Sequence, residues 1–323
     1  MKVFVTGGAG YVGSVCVEEL LNAGHQVTVF DNLSEGHRAA LDSRASFAEG
    51  DLGDRAFLFK SLRNFRPDAV MHFASNTLVS VSMTQPGKYL GDNVANAINL
   101  LDGCVDVGVE RFVFSSTCAI FGLPKTIPIT EDLPKDPINP YGESKWTIER
   151  SLAWYGKLYG LKSVCLRYFN AAGASQRCGE HHREETHLIP NVLKVALGQR
   201  PQVEIYGTDY PTPDGTCVRD YIHILDLAQA HLLALESGQS DVFNLGSGQG
   251  FSVREVIEVA RKVTGHAIHA VEKPPRPGDP PKLVADSAKI RRLLGWKPRF
   301  DSMQVIMDSA WRWHTSHPDG YSQ

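Results

Sequence analysis

Hydrophobic residues in the first half of the chain follow two alternating patterns. Short, nearly continuous apolar runs occur at Lys2–Thr6, Gln26–Phe30, Ala69–Phe73, Arg111–Ser115 and Ser163–Arg167. Between them lie longer stretches in which apolar residues recur every three or four positions. A short run without polar alternation fits a strand buried on both faces, and the longer period fits an amphipathic helix. Helices are expected at Val12–Ala23, Arg55–Phe65, Asn93–Val107 and Tyr141–Tyr159, with a weaker strand at Ala45–Ala48. This alternation predicts an α/β fold with a doubly wound parallel sheet. Beyond about residue 172 the pattern loosens into helices near His187–Leu197, Asp226–Leu235, Val253–Val263, Ser287–Leu294 and Met303–His314, separated by Gly/Pro-rich loops. Lys273–Lys282 contains five prolines. That excludes a helix interior and predicts a stiff loop, on the surface or lining a site.

The first strand runs into Gly7-Gly8-Ala9-Gly10-Tyr11-Val12-Gly13 and then a helix. Glycine is needed where a pyrophosphate approaches backbone N–H groups at a helix N-terminus, because a Cβ would collide with it. Gly8, Gly10 and Gly13 fit one dinucleotide spacing, and Gly7, Gly10 and Gly13 fit a related one. Asp31 ends the second strand, where a carboxylate accepts both ribose hydroxyls. Its charge repels a 2′-phosphate and favours NAD, although Arg38 nearby acts against that inference. Asp51 follows the third strand and is either a partner for the adenine amino group or the N-cap of the next helix.

Tyr141 and Lys145, four residues apart, share one helix face. A phenol of ordinary pKa ~10 is a poor base at neutral pH unless a cation stabilises its phenolate. Lys145 supplies one. Ser115-Ser116-Thr117 ends the fifth strand on the edge where open α/β sheets bind ligands, and a hydroxyl there can relay a proton to or from Tyr141.

The chain has 323 residues, 42 % apolar and 21 % charged, with a net charge of −3. It carries no basic run to suit nucleic acid or an anionic membrane surface, and no apolar stretch of ~18 residues that would span a bilayer. Residues Met1 to Thr6 lack the basic start of a signal peptide. Six dispersed cysteines then read as reduced thiols of a cytoplasmic protein. Cys178, His181, His182 and His187 have the crowding of zinc ligands, but the stretch is polar and the expected chemistry requires no metal, so none is expected.

These motifs together resemble the extended short-chain dehydrogenase/reductase family and, within it, the UDP-glucose 4-epimerases, over nearly the whole chain. The carriers are the glycine loop, Asp31-Asn32-Leu33, His72-Phe73-Ala74, Phe114-Ser115-Ser116-Thr117, Asn139-Pro140-Tyr141-Gly142-Glu143-Ser144-Lys145, Arg167-Tyr168-Phe169-Asn170, Thr186-His187-Leu188-Ile189-Pro190, Asp214–His223 and Arg276-Pro277-Gly278-Asp279. The resemblance implies tightly held NAD and a UDP-sugar epimerised at C4 through a 4-keto intermediate. Tyr141 is then the base, Thr117 bridges the sugar oxygen, and Lys145 lowers the tyrosine pKa. It implies cofactor contacts at Gly7, Gly10, Tyr11, Val12, Gly13, Asp31, Asn32, Leu33, Ser34, Gly36, Asp51, Leu52, Phe73, Ala74, Ser75, Thr77, Asp92, Tyr141, Lys145 and Phe169. Substrate contacts are implied at Thr117, Tyr141, Asn170, His187, Leu188, Tyr206, Arg219, Arg276, Asp279 and Leu283.

Four positions depart from the common pattern: Thr117 replaces a serine and keeps the hydroxyl, Phe121 replaces a tyrosine, Val81 a glutamate and Asp92 an asparagine. Leu283, where a tyrosine would wall the pocket beside the sugar C2, leaves room for an N-acetyl group. Cys118 and Ala119 stand where related dehydratases and decarboxylases keep acidic groups. A UDP-glucuronate 4-epimerase and a non-catalytic NAD(H)-sensing module are the alternatives. The resemblance further implies a homodimer through the two long helices, and a division into a Rossmann-type NAD-binding part (1–172) and a smaller UDP-sugar lobe (173–323). Segments around 218–246 are expected to return to the main sheet.

Overall fold

Successive residues of a strand point to opposite faces, and here both faces are covered. The computed structural model describes residues 1–276 and 279–321. In order along the chain come β1 (Lys2–Thr6), α1 (Tyr11–Asn22), β2 (Gln26–Asp31), β3 (Ser46–Glu49), α2 (Arg55–Phe65), β4 (Ala69–His72), the short turns α3 (Val79–Ser82) and α4 (Pro86–Lys88), a π-helical stretch Tyr89–Ala95, and α5 (Asn96–Val107). Then follow β5 (Arg111–Thr117), α6 (Pro140–Tyr159), β6 (Lys162–Tyr168), β7 (Asn170–Ala172), α7 (Leu188–Ala196), β8 (Val203–Tyr206), β9 (Val218–His223), α8 (Ile224–Ser237) and β10 (Asp241–Leu245). The chain ends with β11 (Gly250–Ser252), α9 (Val253–Thr264), β12 (Ala270–Lys273), β13 (Lys282–Leu283), α10 (Ala288–Leu294) and α11 (Met303–Ser316). The helix expected from Asn93 therefore begins as the π-helical stretch and becomes regular only at Asn96.

Seven strands form one parallel sheet in the order β10-β6-β5-β4-β1-β2-β3. Val3 and Val5 of β1 join a core layer with Val15 and Leu20 of α1 and Leu227 of α8. Phe4 between them joins the opposite layer with Leu58 and Leu62 of α2, Leu100 of α5 and Ile148 of α6. Burial on both faces explains the unbroken apolar runs. The order reverses direction beside β1, so the loops leaving β1 and β4 meet there. That crevice is where doubly wound sheets take ligands.

Of the stretch around 218–246 expected on the main sheet, Asp241–Leu245 lies there, beside β6. Val218–His223 instead centres a second sheet, pairing with β7, β11 and β13. A separate core of α7, α9, α11 and β8 residues, including Val192, Ile205, Val256 and Ile306, supports that sheet.

The helix that matters most for the site is α6. Asn139 caps it, its side chain accepting from the Gly142 N–H at 2.8 Å, with Pro140 in the first turn. Gly160, at φ 75°, ends it in the left-handed conformation that glycine adopts without strain. Glu149 on this helix is buried against the sheet. It accepts from Ser116 Oγ on β5 at 2.6 Å and from Arg167 Nη2 on β6 at 2.6 Å. The two charged side chains are only 3 % and 2 % exposed. Removing one member of such a pair strands the other charge in the interior, at a cost of about 3–5 kcal/mol. Glu149→Ala is accordingly expected to lower the urea unfolding midpoint sharply, and Glu149→Ala with Arg167→Met to recover part of the loss. Equal midpoints for Glu149→Ala and the parent chain would show that the pair does not hold α6.

Candidate active site

Tyr141, Lys145 and Glu149 are spaced i, i+4 and i+8, so docking Glu149 on β5 and β6 turns Tyr141 and Lys145 toward the C-terminal end of the sheet. Thr117, buried as the last residue of β5, sets its hydroxyl beside the Tyr141 phenol. Its Oγ1 also accepts from the Ala119 N–H at 3.1 Å. Burial pushes the Tyr141 phenol well above its ordinary value, while the neighbouring Thr117 hydroxyl acts in the other direction. Lys145 is fully buried, its Nζ donating to the Ser115 carbonyl at 3.0 Å. Burial lowers its pKa to about 7, against the attraction of Glu149. Lys145 Nζ lies 5.9 Å from the Tyr141 ring centroid and 4.9 Å from that of Phe114. The cation thus stands behind the tyrosine ring, held by the end of the strand.

The turn after β1 has the shape that a dinucleotide needs. Gly7 sits at φ +74°, and a Cβ there would lie 2.4 Å from the Ala74 nitrogen in the loop after β4. A Cβ on Gly13 would meet the Gly7 carbonyl oxygen at 2.1 Å. A Cβ on Gly8 would also meet Val29 Cγ1 at 2.8 Å, so both spacings are under steric demand, with the tightest backbone contacts at Gly7 and Gly13. Gly10 caps α1, leaving the first N–H groups of that helix directed to the crevice. Asp31 ends β2, accepting from Ala9 N at 3.0 Å and Leu33 N at 2.8 Å. Burial raises its carboxyl pKa, opposed by those two bonds.

Asp51 is not a helix cap. Asp54 caps α2 by accepting from Phe57 N, while Asp51 accepts from Asn32 Nδ2 at 2.6 Å and Gly53 N at 2.7 Å. Arg38 pairs with Glu49, which neutralises the cation that weighed against NAD. Arg183, which the sequence reading passed over, donates to the Leu33 carbonyl at 3.1 Å.

The other half of the crevice collects the remaining candidates. Asn170 Nδ2 donates to the Asp220 carbonyl at 2.9 Å. Arg219 pairs with Asp279, and the Arg276 guanidinium lies 3.9 Å over the Tyr206 ring. Pro277 and Gly278 of the same expected segment lie outside the described residues. Leu283 pairs in register with Arg219 and packs beside Cys118, Phe121 and Phe169, next to Thr117. His187 caps α7, and its Nδ1 faces Glu185 and Glu180.

Sequence reasoning missed Glu149, Asn93 and Asp220. Asn93 ties the Asn76 loop to Ser144, joining the wall of the crevice that holds Asp92 to α6. Asp220 gathers the N–H groups of Ser247, Gly248 and Ala285, fixing the residues that follow β13. Only Glu149 had a local signal, its place on the face shared by Tyr141 and Lys145.

The comparisons with known proteins agree with this geometry. Residues 3–246 match the model of the NAD dependent epimerase/dehydratase family. A UDP-glucose 4-epimerase of Halalkalibacterium halodurans is 52 % identical, with 100 % of this chain and 98 % of that protein covered. The crystal structure of a UDP-glucose 4-epimerase from Bifidobacterium longum in complex with NAD+ and UDP superposes with a TM-score of 0.95 at 37 % identity, covering 99 % and 100 % of the two chains. The UDP-Glc/GlcNAc 4-epimerase of Campylobacter jejuni gives a TM-score of 0.86 at 40 % identity, with 98 % and 99 % covered. Matches of this extent place the chain by descent as well as by shape: it belongs to the NAD dependent epimerase/dehydratase family and, within it, to the UDP-glucose 4-epimerases.

Proposed function

We propose that this chain interconverts UDP-glucose and UDP-galactose by inverting C4 through a 4-keto sugar. The observation that carries the reading is the Tyr141 phenol beside the Thr117 hydroxyl at the end of β5, with buried Lys145 behind it. The steric demand at Gly7 and Gly13 and the carboxylate of Asp31 fit NAD. We assign its holding to the glycine loop (Gly7, Gly10, Tyr11, Val12, Gly13), to Asp31–Ser34 with Gly36, to Asp51 and Leu52, to Phe73–Thr77 with Asp92, and to Phe169, Tyr141 and Lys145. Bound NAD supplies the hydride acceptor. Tyr141 takes the proton of the sugar 4-hydroxyl and later returns it, and Thr117 holds the 4-oxygen in line with the phenol. Lys145 favours the phenolate by its charge. Asn170, Leu188, Tyr206, Arg219, Arg276 and Asp279 take the UDP, the two guanidiniums suiting a diphosphate; His187 stands beside Leu188 at the N-cap of α7 with its side chain turned to Glu185 and Glu180.

On this reading residues 1–172 serve the dinucleotide and 173–323 the sugar nucleotide, with β10 returned to the main sheet. We place the protein in the cytoplasm, on the strength of six free buried cysteines. No helix among the described residues is long and apolar enough to cross a membrane. We assign a homodimer through α5 and α6. Trp154, Leu158 and Tyr159 at the end of α6 are 58–64 % exposed, an apolar surface that a second copy would cover.

Purified protein is expected to interconvert the two UDP-hexoses without added NAD. Tyr141→Phe should lower kcat at least about 100-fold, the scale of general acid–base catalysis, with bound NAD and thermal stability retained; a near-normal rate would remove Tyr141 as the base. Leu283 favours additional turnover of the UDP-N-acetylhexosamines, and Leu283→Tyr should cut that activity at least about tenfold while sparing the plain hexoses. Equal loss on both substrates would show that Leu283 is not the gate. Light scattering at micromolar concentration should give twice the 35.5 kDa chain mass, and Trp154→Glu with Leu158→Glu should shift it toward one.

A further inference from the structure

The loop between β7 and α7 gathers four metal-ligating side chains that the proposed reaction does not require as a set. Glu180, His182, Glu185 and His187 each direct one donor atom into a space where all four lie within 4.8 Å of one another. His187 Nδ1 is 2.8 Å from Glu185 Oε1 and 3.2 Å from Glu180 Oε1, and His182 Nε2 is 3.3 Å from that same Glu180 oxygen. Four ligands held at about 2.0–2.1 Å around a tetrahedral zinc ion stand about 3.3 Å apart. Three of the separations therefore already approach the edges of that tetrahedron.

The donor set is as specific as the spacing. Two imidazoles and two carboxylates form an N2O2 shell, which suits zinc; calcium and magnesium prefer shells of oxygen alone. The carboxylate side chains of Glu180 and Glu185 are 6 % and 4 % exposed, and two buried anions facing one point require positive charge between them. Glu185 Oε1 also accepts from the His187 backbone N–H at 2.8 Å, so the turn is formed with its ligand in place. The residues whose sequence crowding suggested zinc divide in the fold. Cys178 is buried facing the Ala40 carbonyl, and His181 stacks on His37 at 4.6 Å. The two glutamates stand in their places beside His182 and His187.

We propose that Glu180, His182, Glu185 and His187 form a structural zinc site. Four protein ligands close the coordination shell, so the ion has no open position for substrate or water. It would cross-link residues 180–187 directly before α7, whose N-cap is His187. The His182 and Tyr11 rings stand perpendicular with centroids 6.3 Å apart, and the Tyr11 hydroxyl donates to the Gly173 carbonyl at 2.7 Å. The ion would thus tie the entry of α7 to the glycine loop.

The test uses tag-free full-length protein, and its readouts are metal content, spectrum and thermal stability, independent of turnover. Elemental analysis after dialysis is expected to give about one zinc per chain. Chelator should lower Tm, and one equivalent of zinc should restore it. Cobalt loading should give the intense visible bands of a four-coordinate ion. Glu180→Gln and His182→Ala should each weaken zinc binding by more than the roughly 10- to 100-fold typical of outer-shell changes, whereas His181→Ala keeps full stoichiometry. If either ligand variant fails to fold, zinc titration and the cobalt spectrum of the parent protein decide. The proposal is overturned if chelated protein takes up no zinc, as an ion pair of protonated His187 with the two glutamates would predict. It is equally overturned if the bound zinc survives both ligand substitutions, which marks an adventitious ion only.

Discussion

Glu149, buried between the Ser116 hydroxyl and the Arg167 guanidinium, sets how α6 lies against β5 and β6. The rest of the candidate site inherits its geometry from that contact. An α-helix repeats nearly every fourth residue on one face, so fixing Glu149 also fixes Lys145 one turn away and Tyr141 two turns away. Thr117 and the Ser115 carbonyl come from the strand to which Glu149 is anchored. The reacting groups therefore sit on rigid elements joined by a buried charge pair, rather than on loops free to drift.

The electrostatics of the site follow from the same burial. A lysine in the interior loses hydration, and Lys145 falls to about 7 even with Glu149 near. Tyr141 moves the opposite way because its charged form is the anion. The two shifts draw the pair apart: burial keeps the phenol protonated and loosens the proton on the lysine.

A second constraint is the approach of the two loops at the reversal of strand order. Phe73 N and Ala74 N both donate to the Thr6 carbonyl, at 2.9 and 3.2 Å, bringing the β4 loop onto Gly7 with no room for a Cβ. The C-terminal half closes over this crevice because β10 and α8 belong to the main sheet and its covering layer, while β9 carries Arg219 out into the second sheet. Ile222 of β9 packs in the core of the main sheet and Tyr221 beside it in the core of the smaller one, so this strand sets the distance between the dinucleotide side and the sugar side.

The strands and helices of the first half were legible because periodicity is local: burial on both faces writes unbroken apolar runs, and caps such as Asn139 and Gly160 mark their own helix. The glycine loop and the Tyr141–Lys145 pair were legible for the same reason, each lying within one turn. Glu149 was partly legible, as a polar residue on their face, but its partners on β5 and β6 were not. Chain-distant groupings left no local trace. The pairing of Leu283 with Arg219, the diversion of Arg38 to Glu49 and the division of the cysteine–histidine cluster all depend on which strands and loops the sheet brings together. The sequence by itself determined the class of fold, the cofactor loop and the identity of the reacting side chains, because short-range sterics and helical spacing carry them. Only the tertiary structure decided what each glycine of the loop packs against, what holds α6 in place, and which four donors between β7 and α7 face one another, because convergence of side chains is set by packing between elements.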